Sequence, residues 1–192
     1  MRVIAGEFRS RHLETARGMA TRPTSDKLRE TLFNVLGPRV AGAKFVDLYA
    51  GSGAVGIEAM SRGAGFVWFA ENAPVAVAAI RANLRALKIG GGYALEDRGV
   101  ARLLASLAKS ARAEADVVFL DPPYEAVEEY ERTMESLGAH AAAVLAENAV
   151  VIAEHVRKKS LGEQYGELKR VRVLEQGDAA LSFYEQVSGS AS

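Results

Sequence analysis

The sequence predicts an α/β fold: a doubly wound, mostly parallel seven-stranded sheet with a C-terminal antiparallel hairpin and a short N-terminal extension. Three observations predict it. From Lys44 onward, short apolar runs of strand length alternate with segments of helical periodicity, the pattern of βα units whose strands pair in parallel. A glycine-rich turn, residues 51–56, lies between the first apolar run and its helix. Near the end, two strand-like runs flank Gln176-Gly177-Asp178, as in an antiparallel hairpin.

In chain order, residues 2–14 (RVIAGEFRSRHLE) alternate weakly around a glycine and read as a short hairpin, and residues 18–23 read as a loop. Thr24 or Ser25 is placed to cap a helix through DKLRETLFNVL, where Leu28, Leu32, Phe33 and Leu36 share one face and Gly37-Pro38 ends it. Residues 45–49 form an apolar strand, 53–62 a helix closed by Gly63, and 66–70 a second strand. Pro74 opens the long helix VAVAAIRANLRALK, which Gly90-Gly91-Gly92 breaks. A weak third strand at 93–95 precedes a helix over 100–111. Residues 116–120 are the most apolar run, as a central strand buried on both faces must be. Residues 127–146 are helical with a break near Gly138, and 149–153 form a fifth strand. Residues 168–175 and 180–186 make the closing hairpin, followed by a polar tail. Residues 1–43 are read as an N-terminal hairpin-and-helix extension facing a substrate, and residues 44–187 as the main domain.

At 192 residues, with 49% hydrophobic and 25% charged side chains, the chain has the composition of a globular protein large enough to bury a full α/β core. Cysteine is absent, which removes disulfides, thiolate nucleophiles and cysteine-based zinc sites together. His12, His140 and His155 are far apart and show no metal-ligand spacing, so no metal is expected. No apolar run reaches the ~20 residues of a membrane span, and the N-terminus has no signal-peptide core, so a cytoplasmic protein with no membrane partner is expected. Net charge is zero, yet residues 1–29 carry seven Lys/Arg against three Asp/Glu, a surplus of four. Such a basic arm can contact phosphates, with Arg9, Arg11 and Arg22 as the candidate substrate-binding residues; charge alone leaves a solvated surface as the alternative.

Residues 47–56 read DLYAGSGAVG, so Gly51, Gly53 and Gly56 form a GxGxxG turn between strand and helix. Alone, the turn fits nicotinamide or flavin cofactors as well as others. Asp47 breaks the tie. A carboxylate here repels a pyrophosphate but attracts the ammonium of an aminoacyl group, directly or through water. Glu71, ending the second strand ahead of Asn72, can accept both hydroxyls of a ribose. One carboxylate for an aminoacyl end and one for a ribose describe S-adenosylmethionine better than NAD. Asp97, after the third strand, is the candidate for the adenine amino group.

Asp121-Pro122-Pro123-Tyr124 follows the apolar strand at its carboxyl end, where doubly wound sheets place their chemistry. The two prolines remove two amide donors and stiffen the turn, leaving carbonyls directed outward. The Asp121 carboxylate and the Pro122 carbonyl can each accept one hydrogen of an amino group, orienting its lone pair toward an electrophilic methyl. Tyr124 offers a face for stacking a planar base, and Pro123 borders the same space. A rigid surface turn with a capping aspartate is the structural alternative.

With these motifs the chain resembles the bacterial small-subunit ribosomal RNA guanine-N2 methyltransferases, Rossmann-like class I enzymes that use S-adenosylmethionine. The resemblance runs over nearly the whole length: RVIAGEFRSRHLE, RPTSDKLRETLFNVL at 22–36, FVDLYAGSGAVGIEAMSRGA at 45–64, FAEN, DPPY and ALSFYE. DPPY is common to many amino-methyltransferases, whereas the RPT…R…LF segment is far more specific. The resemblance implies methylation of a guanine N2 in 16S-type rRNA, in the small subunit or an assembly intermediate; a monomer is expected. It also implies that Arg22, Pro23 and Thr24 lie near the cleft. Tyr49 replaces a common Phe, and DRGVARLL departs from the family pattern after the third strand, which leaves backbone at Gly99 or Val100 as an alternative adenine contact. A DNA adenine-N6 methyltransferase is the main competitor, but the short links between units leave little chain for a target-recognition region. Protein glutamine methyltransferases typically carry Asn in place of Asp121. A silent RNA-binding module would have no need of the Asp47, Glu71 and DPPY set.

Overall fold

The computed structural model describes residues 1–15, 25–110, 114–123 and 125–187. The chain divides into two compact units, Met1–Leu103 and Leu104–Ser192.

The first unit opens with an arm, residues 1–15, whose ends pair antiparallel through the single bridge Arg2 to His12. Leu13 N donates to the Met1 carbonyl and Val3 N to the Arg11 carbonyl, each at 2.9 Å, so the expected hairpin is reduced to a tight loop. Helix α1 (Asp26–Leu36) starts where Ser25 Oγ accepts from Leu28 N, and ends at Gly37 with φ 52°. Its buried face is Leu28, Leu32, Phe33 and Leu36, and each such side chain contributes about 1.5–3 kcal/mol on burial. A 3₁₀ turn, Gly37–Val40, leads into strand β1 (Lys44–Leu48). Tyr49, expected within the strand, instead adopts φ 61° and starts the turn.

Helix α2 (Ala54–Ser61), strand β2 (Phe66–Ala70), helix α3 (Pro74–Ala86) and strand β3 (Tyr93–Glu96) follow. The strands pair in parallel in the order β3-β2-β1, with Asp47 opposite Phe69 and Ala70 opposite Glu96. That register brings the residues at and just after the strand ends to one edge. Phe45, Leu48, Ile57, Val67, Phe69 and Ile80 are fully buried around it. Gly56 is required by packing: a Cβ there would lie 2.3 Å from the Phe69 ring, so α2 could not approach β2 as it does.

Helix α4 (Val100–Lys109) runs into the second unit, which holds β4 (Ala115–Leu120), α5 (Val127–Ala139), α6 (Ala141–Val144), β5 (Leu145–Val156), β6 (Gln164–Tyr165), β7 (Leu168–Gln176) and β8 (Ala179–Gln186). Strand order there is β4-β5-β8-β7-β6, parallel between β4 and β5 and antiparallel beyond. The helix expected over 127–146 does break, at His140, two residues past Gly138. The mostly parallel α/β architecture with an antiparallel C-terminal hairpin is as expected, but the described residues form eight strands rather than seven. The additional one, β6, is two residues long and carries no alternating pattern for a sequence reading to detect. Among the described residues no helix is long and apolar enough to cross a membrane, and no cluster of His, Cys, Asp or Glu could hold a metal.

Candidate active site

In the first unit, β1 ends at Leu48 and the chain turns through Tyr49 to Gly53 into α2. Gly51 (φ 55°) and Gly53 (φ 78°) hold left-handed conformations that side chains disfavour. A Cβ on Gly51 would project into open space, so the bare backbone faces outward, free to be approached closely. Glu71, 8% exposed, ties this turn to the end of β2. Its Oε2 accepts from Gly51 N at 2.8 Å, and its Oε1 accepts from Asn72 N and Ala73 N at 2.8 and 2.9 Å. Three backbone donors occupy a carboxylate with about four acceptor sites, so Glu71 first organises the turn, with about one acceptor site to spare.

Asp47 is 1% exposed and its Oδ2 accepts from Gly56 N at 2.8 Å. It therefore caps the first turn of α2, where negative charge is favoured by the helix dipole. Burial pushes its pKa up from 3.8 to about 7; the Gly56 hydrogen bond opposes the rise and the neighbouring Glu71 charge adds to it. Asn72 and Asp97 line one hollow of about 390 Å³ with Val77, Ala78 and Arg81. Asp97 is paired there with Arg81 at 2.9 Å, both side chains about half exposed.

Two side chains absent from the sequence reading hold this unit together. Asn83, 1% exposed, donates to the Ser52 carbonyl of the glycine turn and to the Glu14 carbonyl of the arm, and accepts from Glu14 N. Glu58, fully buried on α2, accepts from Ile4 N, Ala5 N and Arg62 Nε at 2.7, 3.0 and 2.7 Å. Both stand at core positions of otherwise apolar helix faces, and that anomaly was the available signal. The arm is thus built into the fold. Arg9 is exposed, and Arg11 Nη2 donates to the Ala86 carbonyl at the end of α3. Arg22, with Pro23 and Thr24, lies outside the described residues.

In the second unit, β4 delivers Asp121, Pro122 and Pro123 at its carboxyl end. Asp121 is half-buried, Pro122 buried and Pro123 exposed, with the Pro123 carbonyl accepting from Ala126 N at 2.8 Å. The Pro122 carbonyl accepts from the Tyr130 hydroxyl at 3.1 Å, and that hydroxyl also lies 2.9 Å from the Glu154 carbonyl. Tyr124 lies outside the described residues.

A glycine turn open at Gly51, one buried acid and one acid at the end of the second strand fit a ligand with a ribose and a cationic end. Residues 1–185 match the family described as Conserved hypothetical protein 95. Over 195 aligned residues the chain is 34% identical to the Bacillus subtilis protein named "Putative rRNA methyltransferase YlbH", covering 97% of this chain and 99% of that one. It is 38% identical over 128 residues to ribosomal RNA small subunit methyltransferase D of Escherichia coli, spanning 65% of this chain and 60% of the relative. Among solved structures, the one titled "Putative methyltransferase yhhF from Escherichia coli" superposes with a TM-score of 0.80 at 28% identity, over 97% of each chain. The chain belongs to the Conserved hypothetical protein 95 family and is a class I methyltransferase that depends on S-adenosylmethionine.

Proposed function

We propose that the protein methylates the exocyclic N2 of a guanine in 16S-type rRNA, within the small subunit or an assembly intermediate. It acts as a cytoplasmic monomer. The observation that carries the nitrogen chemistry is the Asp121-Pro122-Pro123 turn at the carboxyl end of β4. The relatives named as rRNA methyltransferases support the substrate class. Bound S-adenosylmethionine supplies an electrophilic methyl on its sulfonium. Asp47, Gly51, Gly53, Glu71 and Asn72 are assigned to hold it, with Asp97 toward the adenine. The Asp121 carboxylate and the Pro122 carbonyl accept the two amine hydrogens, and Asp121 passes the released proton to water. Tyr124 and Pro123 hold the base, while Arg9, Arg11 and Arg22 meet RNA phosphates. Incubation with radiolabelled methyl donor tests the reading: small subunits should be labelled, while DNA and bulk protein stay blank. Label on DNA adenine instead would overturn it.

Glu71→Ala should weaken the cofactor by about 1–3 kcal/mol, the cost of losing charge-assisted hydrogen bonds. Calorimetry that finds affinity unchanged would remove Glu71 from the site.

Asp47 gives the cofactor site a pH dependence. Its pKa of about 7 means the carboxylate is mostly protonated below that pH and ionised above it. Only the ionised form attracts the aminoacyl ammonium. Affinity should therefore rise with pH, by up to about tenfold per unit below 7, and level off above it. The gain ends near pH ~8, where the ligand's own ammonium begins to lose its proton. Asp47→Asn should flatten the titration between about pH 5.5 and 7; an unaltered slope in that variant would assign the dependence to another group.

A further inference from the structure

We propose that Tyr130 is a positioning residue for methyl transfer, its phenol hydroxyl fixing the direction of the Pro122 carbonyl. This rests on the reading of Asp121 and Pro122 as the acceptors of the target amine. Tyr130 lies on α5 with 4% exposure, and its hydroxyl reaches Pro122 O at 3.1 Å and Glu154 O at 2.9 Å. A hydroxyl carries one proton and both neighbours are pure acceptors, so that proton is shared between them. The carbonyl of the turn is thereby tied through one side chain to the backbone of β5.

The need for such a tie follows from the two prolines. The Pro122 ring locks its own φ, but the carbonyl direction is set by ψ, which the ring leaves open. Pro123 confines that ψ to the extended basin, which is about 40° wide. A reacting constellation must be held within roughly 10–20°. Spread about its centre, that basin reaches only the loose end of the tolerance, and the Tyr130 hydroxyl narrows it further. It approaches from the buried side and occupies one carbonyl lone pair, leaving the second for a substrate N–H.

The test is Tyr130→Phe, assayed in single turnover with saturating unmethylated small subunits. The methyl-transfer rate should fall about tenfold to thirtyfold, within the range that small misplacements cost. KM for subunits and Kd for S-adenosylhomocysteine should stay at the unaltered values. Tyr184→Phe is the control for simple loss of a buried hydroxyl. Tyr184 is fully buried and donates to Gly162 O at 2.8 Å. That variant should lose comparable thermal stability with its rate intact. Both are assayed at a temperature where circular dichroism shows them fully folded. A Tyr130→Phe rate equal to wild type, or a loss matched by Tyr184→Phe, overturns the proposal. Asp121→Ala in the same assay separates the two levels. A slow Asp121→Ala beside a fast Tyr130→Phe sinks only the role of Tyr130, whereas a fast Asp121→Ala removes the turn itself from the chemistry.

Discussion

Asp121→Ala should methylate small subunits about 10²–10³ times more slowly than the unaltered chain, the usual cost of deleting one positioned polar group in an active site. The substitution removes an acceptor for the target amine and the first stop for its proton. It leaves the glycine turn, Asp47 and Glu71 unchanged, so cofactor affinity should be nearly unaltered. Asp121→Asn keeps an acceptor oxygen but cannot take a proton, and should fall between the two. Single-turnover rates at saturating subunit, beside calorimetry with S-adenosylhomocysteine, measure both quantities. A rate equal to that of the unaltered chain would show that the chemistry lies elsewhere.

The largest expected effect on stability is at Glu58. Its carboxylate is fully buried and holds two amides of the arm, Arg62, and the edge of Arg29 at 3.8 Å. Arg29 is itself fully buried, donating to the Arg2 carbonyl and to Asp26, while its Nε and Nη1 find no hydrogen-bond partner among the described residues. Burial lowers the Arg29 pKa, with Asp26 and Glu58 opposing that shift. Glu58→Ala would leave this guanidinium without its buried counter-charge and strand the Ile4 and Ala5 amides. Removing one member of a buried charge cluster costs about 3–5 kcal/mol, a large share of the ~5–15 kcal/mol that holds a domain folded. Urea denaturation should show the midpoint collapsing. A loss below about 1 kcal/mol would mean that the cluster is hydrated in solution. Deletion of the arm should act in the same way, because it strands Glu58 and Asn83 together. The arm therefore cannot be removed without cost to the glycine turn that Asn83 also holds.

The elements that carry the site were legible because each announces itself locally. The run at 66–70 matches β2 residue for residue, and the Ser25 cap and the Gly37 stop bound α1. Glycines mark the turn, and an apolar run ending in Asp-Pro-Pro marks the strand to which the chemistry is assigned. Pairings across long sequence separation were not legible. Nothing in RVIAGEF says that its amides will meet a carboxylate 54 residues away. The pattern of α5 places Tyr130 on the buried face with Met134 and Leu137, but no periodicity says which carbonyl its hydroxyl will reach. Double use of a side chain was also hidden: Asp47 and Glu71 were read as ligand contacts, and both first hold backbone amides of the turn between them.

The clamping of the arm has a consequence for synthesis. Residues 1–15 leave the ribosome before the groups that secure them: the Glu58 side chain follows Ile4 by 54 residues, the Asn83 side chain follows Glu14 by 69, and the Ala86 carbonyl follows Arg11 by 75. At about 5–20 residues per second, the last of these intervals lasts about 4–15 s. During that time Val3 and Leu13, 1% and 5% exposed in the finished fold, have no core to enter. Closing loops of this length adds little equilibrium cost but slows the search. Residues 1–15 are thus among the last of their unit to settle, and until α3 has emerged they are open to chaperones and proteases.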